Sequence, residues 1–100
     1  MDYKFKKKFR MDLNIAENYG IDAVKETLKR VFREWKTNHT FLYELTLVMN
    51  CKCCDHYENN NIELSKLYAK YYNQLCEYAM KNLNGEELDY FVKNSLNRLY

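Results

Sequence analysis

The segment VMNCKCCDHYE, residues 48 to 58, places three cysteines and one histidine within six positions. Thiolate sulfur and imidazole nitrogen are ligands that zinc prefers, and closely spaced thiols can also perform redox chemistry. A structural zinc site needs four ligands, and a pair of cysteines separated by two residues is normally matched by a second pair elsewhere. Cys51 and Cys54 have this separation, but outside the segment the sequence offers isolated Cys76 and His39 and no second pair.

The cysteine segment fits the interior of a helix better than a metal-binding turn. In a helix, Cys51 and Cys54 share one face while Cys53 and His56 share another, so the four groups do not converge. The basic start of the chain is followed by no apolar stretch of the kind that directs secretion, so we expect a cytoplasmic protein with reduced thiols. Packed thiols are the favoured interpretation, zinc binding and redox sensing are the alternatives, and we predict no metal and no cofactor.

The remaining sequence contains no catalytic motif. His39 and His56 are 17 residues apart, and there is no serine motif, phosphate-binding loop or pair of carboxylates placed for acid–base chemistry. A run of acidic residues at 86, 87 and 89 suits the start of a helix, where negative charge meets the positive end of the helix dipole. We therefore predict that the protein is not an enzyme.

Basic residues are concentrated near the N-terminus. Residues 1–10 carry a net charge of +4, residues 11–36 sum to zero and residues 37–100 sum to −2. The first lysines alternate with Tyr3, Phe5 and Phe9, a combination that can bind nucleic acid through phosphates and base stacking. The net charge of the whole chain, +2, falls short of the strongly basic balance of nucleic-acid domains. The predicted partner-binding residues are Lys4, Lys6, Lys7, Lys8, Arg10, Lys25, Lys29, Arg30, Arg33 and Lys36.

Helices are the elements that must position these groups. The chain has no proline and two glycines, whereas β-rich domains of this size need many such turn residues. Apolar residues three and four positions apart predict helices over residues 22–36, 39–57, 62–83 and 86–99, after a short helix over 13–19 that ends at Gly20. We predict an all-α protein, a compact bundle of four main helices in a single domain over 1–100, with a basic arm over 1–12.

Local signals set the expected ends and buried faces of these helices. Asp22, Asn61, and either Thr37 or Asn38 are the expected N-caps, and Gly85 is expected in the left-handed conformation that ends many helices. The second predicted helix, residues 39–57, is apolar over so wide an arc that we expect it to be central. The last helix is expected to bury Leu88, Phe91, Val92, Leu96 and Leu99. No stretch approaches the about 20 apolar residues of a membrane span.

Tyrosine is unusually abundant, with ten residues in the chain. Tyr68, Tyr71, Tyr72 and Tyr78 lie around much of one predicted helix, so we expect some of them to be exposed. Exposed tyrosine is enriched at protein interfaces, which favours a protein partner or a homodimer. A monomer in which the phenols line the boundary between core and solvent is the alternative.

Several strings in the chain resemble a family of small helical proteins encoded by phages and mobile elements of low-GC Firmicutes. These strings are IAENYG, VKETLKRVFREWK, ELTLVMN, DHYE and LNGEELDYF, and the resemblance covers about residues 14 to 91. The chain departs from the pattern at Cys51 and Cys54, where the family carries His and Trp. The matching residues are Ile15, Gly20, Trp35, Lys36, Glu44, Leu45, Asn50, Lys52, His56, Tyr57, Gly85, Glu86, Glu87 and Leu88.

The resemblance implies a genomic context but no mechanism. Small phage proteins without catalytic motifs often resemble inhibitors of host defence, such as anti-CRISPR proteins, which occlude a surface on a larger machine. Mimicry of DNA is disfavoured because the chain is weakly basic. The expectation is a non-catalytic protein that binds a host protein or nucleoprotein complex in the bacterial cytoplasm. The alternative is a nucleic-acid-binding accessory protein that uses the same basic residues.

Overall fold

The computed structural model describes the backbone of residues 3–35 and 38–93 and the side chains of residues 7–34, 38 and 41–93. This part of the chain contains five helices and no strand: α1 (Tyr3–Glu17), α2 (Ile21–Trp35), α3 (His39–Glu58), α4 (Ile62–Asn82) and α5 (Gly85–Phe91). The predicted all-α class is confirmed. The chain divides into two compact units, residues 1–42 and 43–100, while the single domain stays a prediction.

The first unit is built on a hairpin of α1 and α2. The short connection over residues 18–20 requires the two helices, which pack on each other, to run antiparallel. Each helix buries a stripe of apolar side chains with the three- and four-residue spacing of an amphipathic helix. The buried residues are Phe9, Leu13 and Ala16 from α1, and Val24, Leu28, Val31 and Phe32 from α2. Burial of each large side chain stabilises the hairpin by roughly 1.5–3 kcal/mol.

The N-terminal helix is longer than predicted. It begins at Tyr3 rather than at residue 13, so the basic segment expected as an arm is helical. The physical reason is that the buried stripe of Leu13 and Ala16 continues to Phe9, one turn further towards the N-terminus. Burial of Phe9 stabilises the helical conformation of this segment, which its lysines alone would not lead one to expect.

Gly20 forms the turn between α1 and α2. The Asn18 N–H donates to the Ile15 carbonyl at 3.1 Å and the Tyr19 N–H to the Ala16 carbonyl at 2.9 Å, which closes the end of α1. Gly20 then adopts φ +107°, a conformation that residues with a Cβ rarely adopt. The expectation that Asp22 caps the next helix is wrong, because α2 begins at Ile21 and Asp22 lies in its first turn.

The second unit contains most of α3, with α4 and α5. Asn38 caps α3, since its Oδ1 accepts the Phe41 N–H at 3.4 Å, and this confirms one of the two expected caps. All six residues from Leu45 to Asn50 are buried, so this stretch of α3 is covered on every side. Even Lys52 is only 8% exposed, which requires burial of its aliphatic stem.

A polar contact and a ring contact join α3 to α4. Ser65 Oγ donates to the Cys53 carbonyl at 2.9 Å, and the His56 ring stacks on Tyr68 with 5.6 Å between ring centres. Asn61 occupies the expected N-cap position of α4 but makes no capping hydrogen bond. Its side-chain nitrogen lies 3.1 Å from His56 Nδ1, so the amide group forms a hydrogen bond with the end of α3 instead of capping α4.

Leu83 and Asn84 connect α4 to α5 in extended conformation. Gly85 has the left-handed φ of +51° that was expected, although it opens α5 instead of directly ending α4. Phe91 is buried, and the Tyr43 ring of α3 lies 4.7 Å from the Tyr90 ring and 6.0 Å from the Phe91 ring. Val92 is 36% exposed, so its expected burial is wrong. Leu96 and Leu99 lie outside the described residues.

The turn at Gly20 can be tested by substitution. Gly20→Ala should lower the free energy of unfolding by about 1–3 kcal/mol, because φ +107° strains any residue with a Cβ. Gly85→Asn is the matched control, since asparagine tolerates φ +51° and should change stability little. Urea unfolding followed by circular dichroism measures both. Wild-type stability in Gly20→Ala would contradict the turn described here.

Candidate functional site

The outer face of α2 is cationic. Lys25, Lys29, Arg30 and Arg33 are all exposed, at spacings that place them on the side of α2 away from its buried stripe. The structure therefore confirms the exposure that the sequence predicts for these four residues. Lys36 and the side chains of Lys4 and Lys6 lie outside the described residues.

Three of these cations line one surface depression. Lys29, Arg30 and Arg33 surround it with Glu26 and Thr27, and its volume is about 330 Å³. The Thr27 hydroxyl donates to the Ala23 carbonyl at 3.0 Å, so the cations supply the depression's main donors. Arginine presents a planar fork of donors that matches a carboxylate or a phosphate. The depression can therefore hold an anionic group, such as an acidic side chain or a backbone phosphate.

The predicted residues of α1 differ in how available they are. Lys7 and Lys8 are exposed, but Arg10 is half-buried and its Nε has no hydrogen-bond acceptor among the described residues. A buried guanidinium nitrogen cannot reach a partner without movement of the surrounding side chains. Lys7 and Lys8, with Lys25, Lys29, Arg30 and Arg33 of α2, are called the cationic surface below.

One ion pair shows which residues of α1 and α2 lie side by side. Arg30 Nη2 lies 4.0 Å from Asp12 Oδ2, and both side chains are partly exposed, so the pair contributes only about 0–1 kcal/mol. The two helices run in opposite directions from the level of Asp12 and Arg30. Lys7 and Lys8, which precede Asp12 in α1, therefore lie beside residues 33–35, which follow Arg30 in α2. The structure thus brings the α1 lysines to the same end of the hairpin as Arg33. Asp12 was not among the predicted site residues, although its position beside the Phe9 and Leu13 stripe could have indicated it.

The charges of α1 oppose the arrangement that stabilises a helix. Its first turn has no acidic residue and its last turn has no basic residue. All five of its cations fall within residues 4–10, whereas Asp12 and Glu17 follow them. A charge of unfavourable sign near a helix terminus costs about 0.3–1 kcal/mol. The lysines and the positive end of the helix dipole therefore reinforce each other at the same end of the hairpin, which makes that end attractive to anions.

The four cysteines are half-buried and free. Cys53 Sγ lies 3.5 Å from Ser65 Oγ, while Cys54 Sγ donates to Asn50 Oδ1 at 3.9 Å, so these neighbouring thiols serve different partners. No group of three or more Cys, His, Asp or Glu side chains within the described ranges is placed to hold a metal ion. The packing of the thiols matches the favoured interpretation of the cysteine segment as helix.

Burial makes two of the thiols weak nucleophiles. It is the main cause that raises the pKa of Cys54, and the neighbouring Cys53, Cys51, Glu58 and Asp55 raise it further. Burial also raises the pKa of Cys76, against a smaller opposite effect of a hydrogen bond with Tyr72. Since the thiolate is the reactive form, the raised pKa values make both thiols slower nucleophiles than an ordinary cysteine.

The exposed tyrosines are not those that the sequence indicated. Tyr68 and Tyr71 are buried, and Tyr72 and Tyr78 are half-buried. Among the tyrosines whose side chains the structure describes, those with large exposed fractions are instead Tyr19, Tyr57 and Tyr90. They lie at or near the ends of helices, where a repeating apolar pattern gives no information about burial.

Comparison of the chain with protein-family models, curated proteins and solved structures finds no match. The resemblance to phage proteins therefore stays a prediction. No helix in the described part of the chain is long and apolar enough to cross a membrane.

The state of the thiols gives a direct test of this packing. At pH 8 Cys54 and Cys76 should react with iodoacetamide more slowly than in the chain unfolded in urea, because folding raises both pKa values above the usual 9.0. Peptide-resolved mass spectrometry measures each rate, and the urea-unfolded chain is the control. Because the thiols of the folded chain ionise at a higher pH, the difference in reaction rate between the folded and unfolded chains should become smaller as the pH rises. Equal rates at pH 8 in the folded and unfolded chain would contradict the described environments.

Proposed function

We propose that the chain is a non-catalytic binding protein that docks the cationic surface on an acidic region of a larger bacterial protein or nucleoprotein complex. The observation that carries this proposal is the surface depression lined by Lys29, Arg30 and Arg33, with Glu26 and Thr27, at which three cations outnumber one carboxylate. Arg30 retains donors for a partner because its contact with Asp12 is long and partly solvated.

The distribution of charge favours a protein partner over bulk nucleic acid. Residues 1–42 carry ten cations against six anions, whereas residues 43–100 carry six against eight. A domain that binds the phosphate backbone of a nucleic acid is usually strongly basic overall, because each phosphate contact requires a cation. A positive surface on a nearly neutral chain is better suited to steering the protein onto an acidic patch of another protein.

The sequence resemblance gives this proposal its biological setting. We propose that the protein is one of the phage or mobile-element proteins that act in the host cytoplasm, and that it inhibits a bacterial defence complex, as anti-CRISPR proteins do. Inhibition by occlusion requires affinity and shape but no reacting group. This is consistent with a chain in which the candidate groups are surface cations.

A nucleic-acid-binding accessory protein is the second candidate. The observation that favours it is the exposure of Lys7 and Lys8 in the second turn of α1, close to its N-terminus, since helix N-termini and cations both attract phosphate. This candidate requires an affinity that falls steeply with salt, with a slope set by the number of phosphates contacted.

Charge reversal tests the proposed surface. Lys29→Glu with Arg33→Glu should reduce capture of the partner by roughly tenfold or more, because replacing two attractive charges with repulsive ones at an acidic partner surface should cost over about 1.4 kcal/mol. The matched control is Lys66→Glu with Lys70→Glu, which makes the same change in net charge at two exposed positions of α4. Tagged proteins are incubated with host lysate, and bound proteins are identified by mass spectrometry.

Nuclease and salt separate the two candidates in the same experiment. A protein complex that is retained by the wild type and the α4 variant after nuclease and high salt, but lost by the α2 variant, supports the proposal. Nucleic acid that is released as salt rises would replace it with the second candidate. Equal capture by the α2 variant and the wild type would show that this face does not bind the partner.

A further inference from the structure

Two carboxylates of the chain accompany the cations of the surface depression. Glu26 lines it together with Lys29, Arg30 and Arg33. Asp12 approaches Arg30 from α1, with 4.0 Å between Asp12 Oδ2 and Arg30 Nη2. Glu26 and Arg30 are four residues apart, which makes them neighbours on the surface of α2. Arg30 therefore has two of the chain's own carboxylates beside it.

These carboxylates leave the cations available to a partner. The 4.0 Å between Asp12 and Arg30 is longer than a hydrogen bond, and the side chains are 33% and 49% exposed, so water screens their attraction. Within the depression, three cations outnumber Glu26, so an anionic group is still attracted. The carboxylates instead limit which anions fit, because each of them repels a second negative charge placed beside it.

The phosphate backbone of a nucleic acid presents negative charge without interruption. Each strand of a DNA duplex carries one charge about every 3.4 Å along the helix axis. Glu26 and Arg33 are seven residues apart, which corresponds to about 10 Å along α2. A strand that lies along the α2 cations therefore places phosphate beside Glu26. A strand that reaches Arg30 from the side of α1 places phosphate beside Asp12.

We propose that Glu26 and Asp12 are specificity determinants of the depression, which disfavour a phosphate backbone and permit a protein surface of mixed charge. Such a surface can place a carboxylate against Lys29 and Arg33, and a lysine, an arginine or an amide donor against Glu26. Each charged group then faces a group of opposite sign or a donor, whereas a uniform polyanion meets repulsion. This selectivity rests on the proposed function, because it names the chemistry of the partner surface that the depression accepts.

Binding of a fluorescently labelled DNA duplex to the full chain tests this selectivity, with fluorescence anisotropy recorded over a range of salt concentrations. Asp12→Asn with Glu26→Gln should bind the duplex roughly fivefold or more tightly than the wild type at low salt, because two repulsive charges are removed with little change in shape. Its affinity should also fall more steeply with salt, by about 0.9 in the logarithmic slope for each additional phosphate contacted.

The matched control is Asp55→Asn with Glu77→Gln, which makes the same change in net charge at exposed positions of α3 and α4. Its affinity for the duplex should rise by less than about twofold, because distant surface charges are screened. Circular dichroism checks that both variants keep the helical content of the wild type. An equal gain in the control, or wild-type affinity and slope in the variant of Asp12 and Glu26, would overturn the proposal.

Capture of the protein partner provides a readout of opposite sign. Glu26→Gln alone should tighten binding of the duplex but weaken capture of the protein complex, because the partner's donor loses its carboxylate. Stronger binding of both would show that Glu26 repels every partner and does not select, which would overturn the proposal. The duplex assay needs no partner, so failure of the proposed function, seen as no complex captured by the wild type, is distinguishable from failure of this selectivity.

Discussion

The packing of α1 on α2 is the constraint on which the candidate site depends. Phe9, Leu13 and Ala16 keep α1 helical although its charges are arranged against its own dipole. Without that apolar contact, Lys7 and Lys8 would belong to a solvated chain with no fixed relation to Arg30 and Arg33. Hydrophobic burial on one side of the hairpin thus determines where the cations stand on the other side.

The two compact units carry different kinds of chemistry. The first unit presents cations at its surface, and the second encloses half-buried thiols, a buried lysine and stacked rings. Helix α3 explains the second group. Between Leu45 and Asn50 it is buried on every side, and the cysteines that follow pack against polar groups of α3 and α4 instead of converging on one point. Closely spaced cysteines therefore indicate a site only when the backbone turns them towards each other.

The regular helices were predictable because apolar spacing alone defines them. Val24, Leu28, Val31 and Phe32 mark α2, and its exposed cations follow from the same periodicity. The start of α1 was not evident from the sequence. Phe9 continues the apolar stripe of a helix, but the lysines around it are equally typical of a solvated, non-helical segment. The contact of Asp12 with Arg30 and the depression beside it depend on how α1 and α2 align. The spacing of apolar residues along a single helix contains no information about that alignment. Asn61 shows a similar limit, because its capping role was displaced by His56, a residue five positions away.

The unfavourable charge arrangement of α1 links its folding to whatever it binds. Cations at the start of this helix raise the free energy of the helical state, so its first turns should exchange backbone amide hydrogens with solvent more readily than its buried centre. An anionic partner would neutralise those same charges and remove the repulsion. Binding of the partner and formation of the helix are therefore coupled, and each favours the other by the same free energy. The backbone amides in the first turns of α1 would exchange with solvent more slowly in a complex than in the free protein.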